Sequence, residues 1–353
     1  MNSLERMNLV FNGEKPDRVP FVPSIYEHGA AVIGVTPSEA STDADLMARA
    51  AVDSFLVYGH DLITVGIDIY NIEAEAFGCP VRRFSDRSIP AIEDHPLGEM
   101  ETLDVSKLRI PEERAAGNRL GLIIDASRKV MLEVGEDTVV YACMGGPFSQ
   151  AVELRGFDRF IMDIYENPSA VRELLEKTTT LSISHACRLC TVGVGVNIYE
   201  SWATLPLISP DIFRDFVVPY EKRIIRAVRE KHSTPAPAVI MGGDTSVLID
   251  FFLEVDTSLV VADYMTDFDF MKKKIEAAGS RMVIRGCLDP KQIERGDWAG
   301  LARPVKALAQ KSRGMNNYVW GCGCVPIDTP KEYLLRFKEM CLSADPDQGT
   351  FSV

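Results

Sequence analysis

Tyr318-Val319-Trp320-Gly321-Cys322-Gly323-Cys324-Val325-Pro326-Ile327-Asp328-Thr329-Pro330 is an apolar, aromatic run broken by two glycines and two thiols, closed by Pro326 before Thr329 and Pro330 open a helix. A run this apolar reads as a strand buried on both faces, which parallel sheets require and half-solvated antiparallel sheets do not. Its thiols then lie at the carboxyl end of the strand. Glycine on either side of Cys322 lets backbone or ligand approach the sulfur, whereas packing alone would treat each cysteine as a small hydrophobe.

The same pattern recurs toward the amino terminus. Apolar strands are expected at 281–287, 258–263, 238–244, 194–200, 138–144, 61–68 and 19–26, the last kept irregular by its prolines. Helical patterns separate them, at 298–313, 267–278, 245–254, 213–230, 148–192, 113–134 and 37–59, with a short helix at 4–12 before the first strand. Eight strands, each followed by helix, are what a closed parallel barrel needs. The predicted fold is therefore α/β, a (β/α)8 TIM barrel formed as a single domain over 1–353. Residues 71–111, with four prolines, form an insertion after strand 2, read as a lid or binding segment.

Composition excludes several classes. With 46% apolar and 25% charged residues the chain of 353 has ample material for a core. A net charge of −13 argues against nucleic acid or an anionic membrane as partner. The amino terminus lacks the apolar core of a signal peptide, and no run of about 18 apolar residues occurs, so a cytoplasmic protein with no membrane partner is expected. The eight cysteines are scattered through apolar stretches and read as reduced thiols. Neither a dinucleotide fingerprint after strand 1, nor a Walker loop, nor a nucleophile elbow is present.

In a barrel of this kind reactive groups belong at the carboxyl ends of the strands. Those ends carry Glu27 and His28, Asp68, Cys143, Glu200, Asp244, Asp263, Cys287 with Asp289, and Cys322 with Cys324. Acids and thiols in this proportion suit either a zinc site or general acid–base work. For Asp244, followed by Thr245 and Ser246, helix capping is an equal alternative. Asp289 before Pro290 reads as a turn residue, and Cys187 with Cys190 as packing within a helix. His60, His95, His185 and His232 lie away from strand ends and read as structural or surface residues.

Taken in order, residues 12–20 (NGEKPDRVP), 73–79 (EAEAFGC), 146–148 (GPF), 201–203 (SWA) with 208–210 (ISP), 285–290 (RGCLDP) and 321–326 (GCGCVP) resemble the uroporphyrinogen decarboxylase superfamily over essentially the whole chain. The resemblance implies a (β/α)8 barrel and one of two activities, tetrapyrrole decarboxylation or zinc-dependent methyl exchange with a corrinoid protein. The decarboxylases carry an arginine-rich amino-terminal segment, and residues 19–34 contain no arginine, so the corrinoid-dependent methyltransferase branch is the closer resemblance. That branch implies a zinc ligand at Cys322. In its members acting on coenzyme M a His-x-Cys pair ends strand five, where Ile240 and Gly242 stand here.

The expected metal set is then Cys322, Glu200 and Cys324, with Asp244 or His28 as other donors. Glu200, Asp244 and Asp68 are the expected catalytic acids, and His28, Tyr26, Trp202 and Cys143 the expected substrate-binding residues. The favoured activity is O-demethylation of a small methoxylated compound, with the corrinoid supplied by a separate corrinoid protein. A tetrapyrrole decarboxylase and a non-catalytic corrinoid-binding descendant are the alternatives, and a homodimer is compatible with either.

Overall fold

A computed structural model describes residues 1–112 and 118–344. Seven strands form two parallel sheets. β1 (Leu62–Val65), β4 (Val139–Gly145), β5 (Gly195–Tyr199) and β6 (Ala238–Ile240) pair in that order, and β7 (Leu259–Ala262), β8 (Val283–Leu288) and β9 (Tyr318–Cys322) make the second sheet. Every residue of β4, β5, β8 and β9 is buried, as the continuous apolar runs required.

Regular ladders stop at two seams, and single hydrogen bonds cross both. At one, the Ser258 N–H donates to Pro237 O (3.1 Å) between the β7 and β6 ends. At the other, the segment 19–26 replaces a full strand. Pro20 and Pro23 have no N–H to donate, so it makes only isolated parallel bridges, Phe21 to Trp320 and Ser24 to Cys324. Its far side receives the Asp61 N–H at Phe21 O (2.8 Å). The resulting order, 19–26, β1, β4, β5, β6, β7, β8, β9, is that of a (β/α)8 barrel.

Helices cover the outside. Phe21 packs against Phe337 of the helix Lys331–Ser343, and Tyr318 against Phe268 of the helix Phe268–Ala277. Across the interior, the Tyr199 hydroxyl donates to that of Tyr26 (2.7 Å) and Asn197 Nδ2 donates to Thr64 Oγ1 (3.2 Å), so these residues fill the lumen.

Several elements differ from the expectation. The helix predicted at 37–59 is two, Pro37–Thr42 and Ala44–Tyr58, because Asp43 leaves helical geometry (φ −133°) to cap the second with its carboxylate. The region 148–192 divides into Pro147–Arg155, Phe157–Glu166 and Pro168–Thr191, cut at Gly156 and Asn167. The insertion is not one loop: it holds the helix Asn71–Ala76 and an antiparallel pair, β2 (Val81–Arg82) with β3 (Ala91–Ile92). The helix expected from 113 is seen as Arg119–Val134, and 113–117 lie outside the described residues.

Candidate functional site

A cavity of about 540 Å³ is lined by Asn8, Phe11, Pro235, Ser258 and Arg281 among others, at the amino-terminal ends of the strands. Conservation of shape there supports folding in barrels, while chemistry belongs at the opposite end. At that opposite end two groups of side chains face each other, one acidic and one built around a single cation.

The acidic group forms where 19–26, β1 and the helix Asn71–Ala76 converge. Asp68 and Glu73, with Tyr70 and Cys143, line one small cavity. Both Asp68 oxygens accept from Arg119 Nη1 (2.9 and 2.8 Å), and Arg119 Nε reaches Glu75. Burial pushes the Asp68 carboxyl up while the guanidinium holds it down, so Asp68 is one half of a buried ion pair. Burial also pushes Glu73 up to about 8 and half-buried Glu27 up to about 7, with Asp68 repelling the charged form of each. At neutral pH Glu73 is thus mostly protonated and Glu27 is at its midpoint, both beside the Asp68 anion. Exposed Cys324 lies on the rim next to Glu27.

Tyr70 is held at φ 77°, a left-handed backbone rare for a bulky residue. Its hydroxyl donates to Ser201 Oγ (2.6 Å) and accepts from the Ser201 N–H (3.0 Å), which ties the insertion to the turn after β5.

The expected metal ligands do not come together. Glu200 is fully buried against the first turn of the helix Pro147–Arg155, accepting from Phe148 N–H (3.1 Å), Ser149 N–H (2.8 Å) and Ser149 Oγ (2.7 Å). This is an anion at a helix amino terminus, satisfied by it. Its close neighbour Glu221 has two buried oxygens with no hydrogen-bond partner, and burial beside Glu200 raises it well above the usual carboxyl range. The proton of the pair therefore stays on Glu221, and Glu200, pushed up to about 7 by burial against its three donors, is the member that ionises first.

Cys322 is wholly buried, and burial pushes its thiol far up, with Cys287 and Cys341 nearby. Among the described residues no three His, Cys, Asp or Glu side chains group as metal ligands. The donor set thus does not fit the zinc that the family resemblance implies.

Other expected residues have local work. His28 contacts Pro326 O through Nδ1 (3.1 Å) and the Tyr58 hydroxyl through Nε2 (2.8 Å), so both ring nitrogens are engaged behind the rim. Trp202 donates to Glu153 Oε1 (2.7 Å) and stacks on Phe157. Asp244 accepts from Ser246 N–H (3.0 Å) across a local turn, while Thr245 takes the N-cap position of the short helix Ser246–Leu248, and Asp289 caps the helix Pro290–Glu294. Of the expected set, the structure places Tyr26, Asp68 and Cys143 at the lumen end.

Sequence reasoning missed the second group. Arg285 of β8, 4% exposed, lies in the lumen near Cys287, Tyr26, Tyr199 and Cys322. Its stem crosses Gly321 of β9, where a Cβ would fall 2.7 Å from Arg285 Cγ, so glycine at 321 makes room for it. A charged residue inside an otherwise apolar strand was the signal. Glu27 was read only as one of many strand-end acids, because nothing local in sequence brings Asp68 beside it.

A family model described as uroporphyrinogen decarboxylase (URO-D) matches residues 2–342. Among curated proteins, the chain is 26% identical to methylcobamide:CoM methyltransferase MtbA of Methanosarcina mazei, covering 95% of this chain and 96% of the relative. It is 23% identical to uroporphyrinogen decarboxylase 2, chloroplastic, of Arabidopsis thaliana, covering 86% of this chain and 75% of that one. A solved structure, a methyltransferase from Methanosarcina mazei, superposes with a TM-score of 0.81 at 20% identity over 98% of this chain and 99% of that chain, a likeness of fold.

Proposed function

This chain belongs to the uroporphyrinogen decarboxylase family, and from that premise we propose that it is a methyltransferase moving a methyl group between a small methoxylated compound and the cobalt of a corrinoid held by a separate protein. Full-length similarity to methylcobamide:CoM methyltransferases supports methyl transfer with a corrinoid partner. The observation that carries the choice of an oxygen-bound methyl is Glu27, a carboxyl at the rim that burial and Asp68 hold protonated to about pH 7.

An ether carbon is a poor methyl donor because an alkoxide or phenolate is a poor leaving group, and a positioned acid removes that difficulty. The corrinoid supplies the nucleophile that accepts the methyl group. This chain's residues do the rest. As the carbon–oxygen bond breaks, the oxygen keeps the electron pair and takes the proton of the Glu27 carboxyl. Asp68, fixed as an anion by Arg119, raises the proton affinity of Glu27 and does not itself move. Glu73, pushed up to about 8, lends a second neutral carboxyl to the same cavity.

The test is to mix the protein with cob(I)alamin under anaerobic conditions and follow the visible spectrum with methoxylated aromatics, methylamines and methyl thiols, repeating with a corrinoid protein as acceptor. Cobalt methylation with the methoxylated compounds supports the reading. Methylation by amines or thiols alone would remove the ether assignment, and decarboxylation of a tetrapyrrole with no methyl transfer would remove the whole reading.

A further inference from the structure

Four arginines are buried among the described residues: Arg6, Arg119, Arg155 and Arg285. Three meet carboxylates, Arg6 with Asp17 and Asp61, Arg119 with Asp68 and Glu75, and Arg155 with Asp163. Arg285 alone has no carboxylate within ion-pair distance among the described residues, and its Nε is buried with no hydrogen-bond partner. The groups nearest its charge are two tyrosines and two thiols, Tyr26, Tyr199, Cys287 and Cys322. Burial keeps all four protonated at neutral pH.

A buried cation without an anion is costly, and a fold retains one where an anion arrives from outside. The surroundings fit that arrival. The side chain rises from the middle of β8 toward the carboxyl end of the barrel, its stem seated over Gly321, which pairs with Cys287 two residues further along. The linked hydroxyls of Tyr26 and Tyr199 lie beside it. Planar guanidinium and planar carboxylate pair through two parallel hydrogen bonds, which orients a small ligand as well as holding it.

We propose that Arg285 is the carboxylate subsite of the substrate pocket, so that the molecule bound here carries a carboxylate group. The assignment rests on the methyl-transfer reading for the rest of that molecule: its carboxylate sits on Arg285 and its methoxy group lies toward Glu27. Specificity for acids over neutral analogues then comes from one residue. An uncharged analogue leaves the guanidinium unpaired in the lumen and is rejected.

Binding is measured by calorimetry, with no corrinoid present, for 4-methoxybenzoate and methoxyacetate against their amides. The acids bind and the amides do not, on the unaltered protein. Arg285→Gln weakens the acids by about 10- to 100-fold and abolishes the preference, while Arg285→Lys, keeping the charge but losing the fork, weakens them less. Circular dichroism shows whether each variant is folded, and the acid-versus-amide comparison needs no variant. Equal binding of acid and amide, a preference that survives Arg285→Gln in a folded protein, or no binding of the small acids and of coproporphyrin alike would overturn the assignment. Coproporphyrin, a tetracarboxylate, is the second arm: Arg285-dependent binding of coproporphyrin in place of the small acids keeps the subsite but removes the methyl-transfer reading. Arg285-dependent binding of the small acids without methyl transfer to cobalt likewise separates the two.

Discussion

Glu27 shows how much a few neighbours decide. Half-buried at the rim with Asp68 beside it, its carboxyl titrates near 7 rather than in the usual carboxyl range. A carboxyl with a raised pKa is a proton donor below that value and is spent above it. Methyl transfer from an ether should therefore fall as pH rises through about 7, the sign opposite to that of a general base. Glu27→Gln, which cannot give up a proton to the leaving oxygen, is expected to lower kcat by about 100-fold or more and to remove that pH dependence. Steady-state kinetics across pH with the unaltered protein and the variant checks both. A Glu27→Gln profile still falling through the same pH would assign the titration to another group, Glu73 being the nearest.

Among the elements, the strands were legible where both faces are buried, and β8 and β9 appear within two residues of their expected ends. Segment 19–26 was legible as extended chain, but its prolines reduce it to bridges. Helix breaks at Asp43 and Gly156 were missed because helical segments lie on both sides of each, Asp43 capping the second helix with its carboxylate and Gly156 stopping its helix at φ 81°. Glu200 illustrates the limit for sites. Its place at the end of β5 was readable, whereas the helix start at 147–149 that claims it is remote in sequence.

The Glu200–Glu221 pair yields a stability prediction for the helices around β5. Glu221 keeps its proton when folded and releases it when unfolded, so between about pH 4.5 and its raised folded value the unfolded state gains on the folded one as pH rises. Glu221→Gln, neutral throughout, escapes that loss. Its stability relative to the unaltered protein should improve by about 1.4 kcal/mol per pH unit over that span, read from denaturant unfolding at about pH 5 and about pH 7. Glu200→Gln should instead cost about 1–3 kcal/mol, since it removes the anion that three donors converge on, and should leave kcat nearly unchanged. A large loss of kcat in folded Glu200→Gln would return Glu200 to the chemistry.

Over the whole molecule, the chain joins a family fold to an altered reactive centre. The barrel order follows the family fold, but Glu200 caps a helix and Cys322 is sealed in. The lumen holds a guanidinium that has no carboxylate partner among the described residues, and the rim holds carboxyls of raised pKa. The purified protein should contain far less than one zinc per chain by elemental analysis, and one zinc per chain that resists dialysis would contradict this donor set. Among the described residues no helix is long and apolar enough to cross a membrane.

The proposed reaction is acid-assisted methyl transfer to a corrinoid by side chains alone. Its most direct test is the rate of cobalt methylation from a methoxylated acid, followed by visible absorbance from about pH 5.5 to about pH 8.5 with and without a strong chelator. The expected rate falls through about pH 7 and is the same in both series. A rate abolished by chelator, or one that rises with pH, would contradict it.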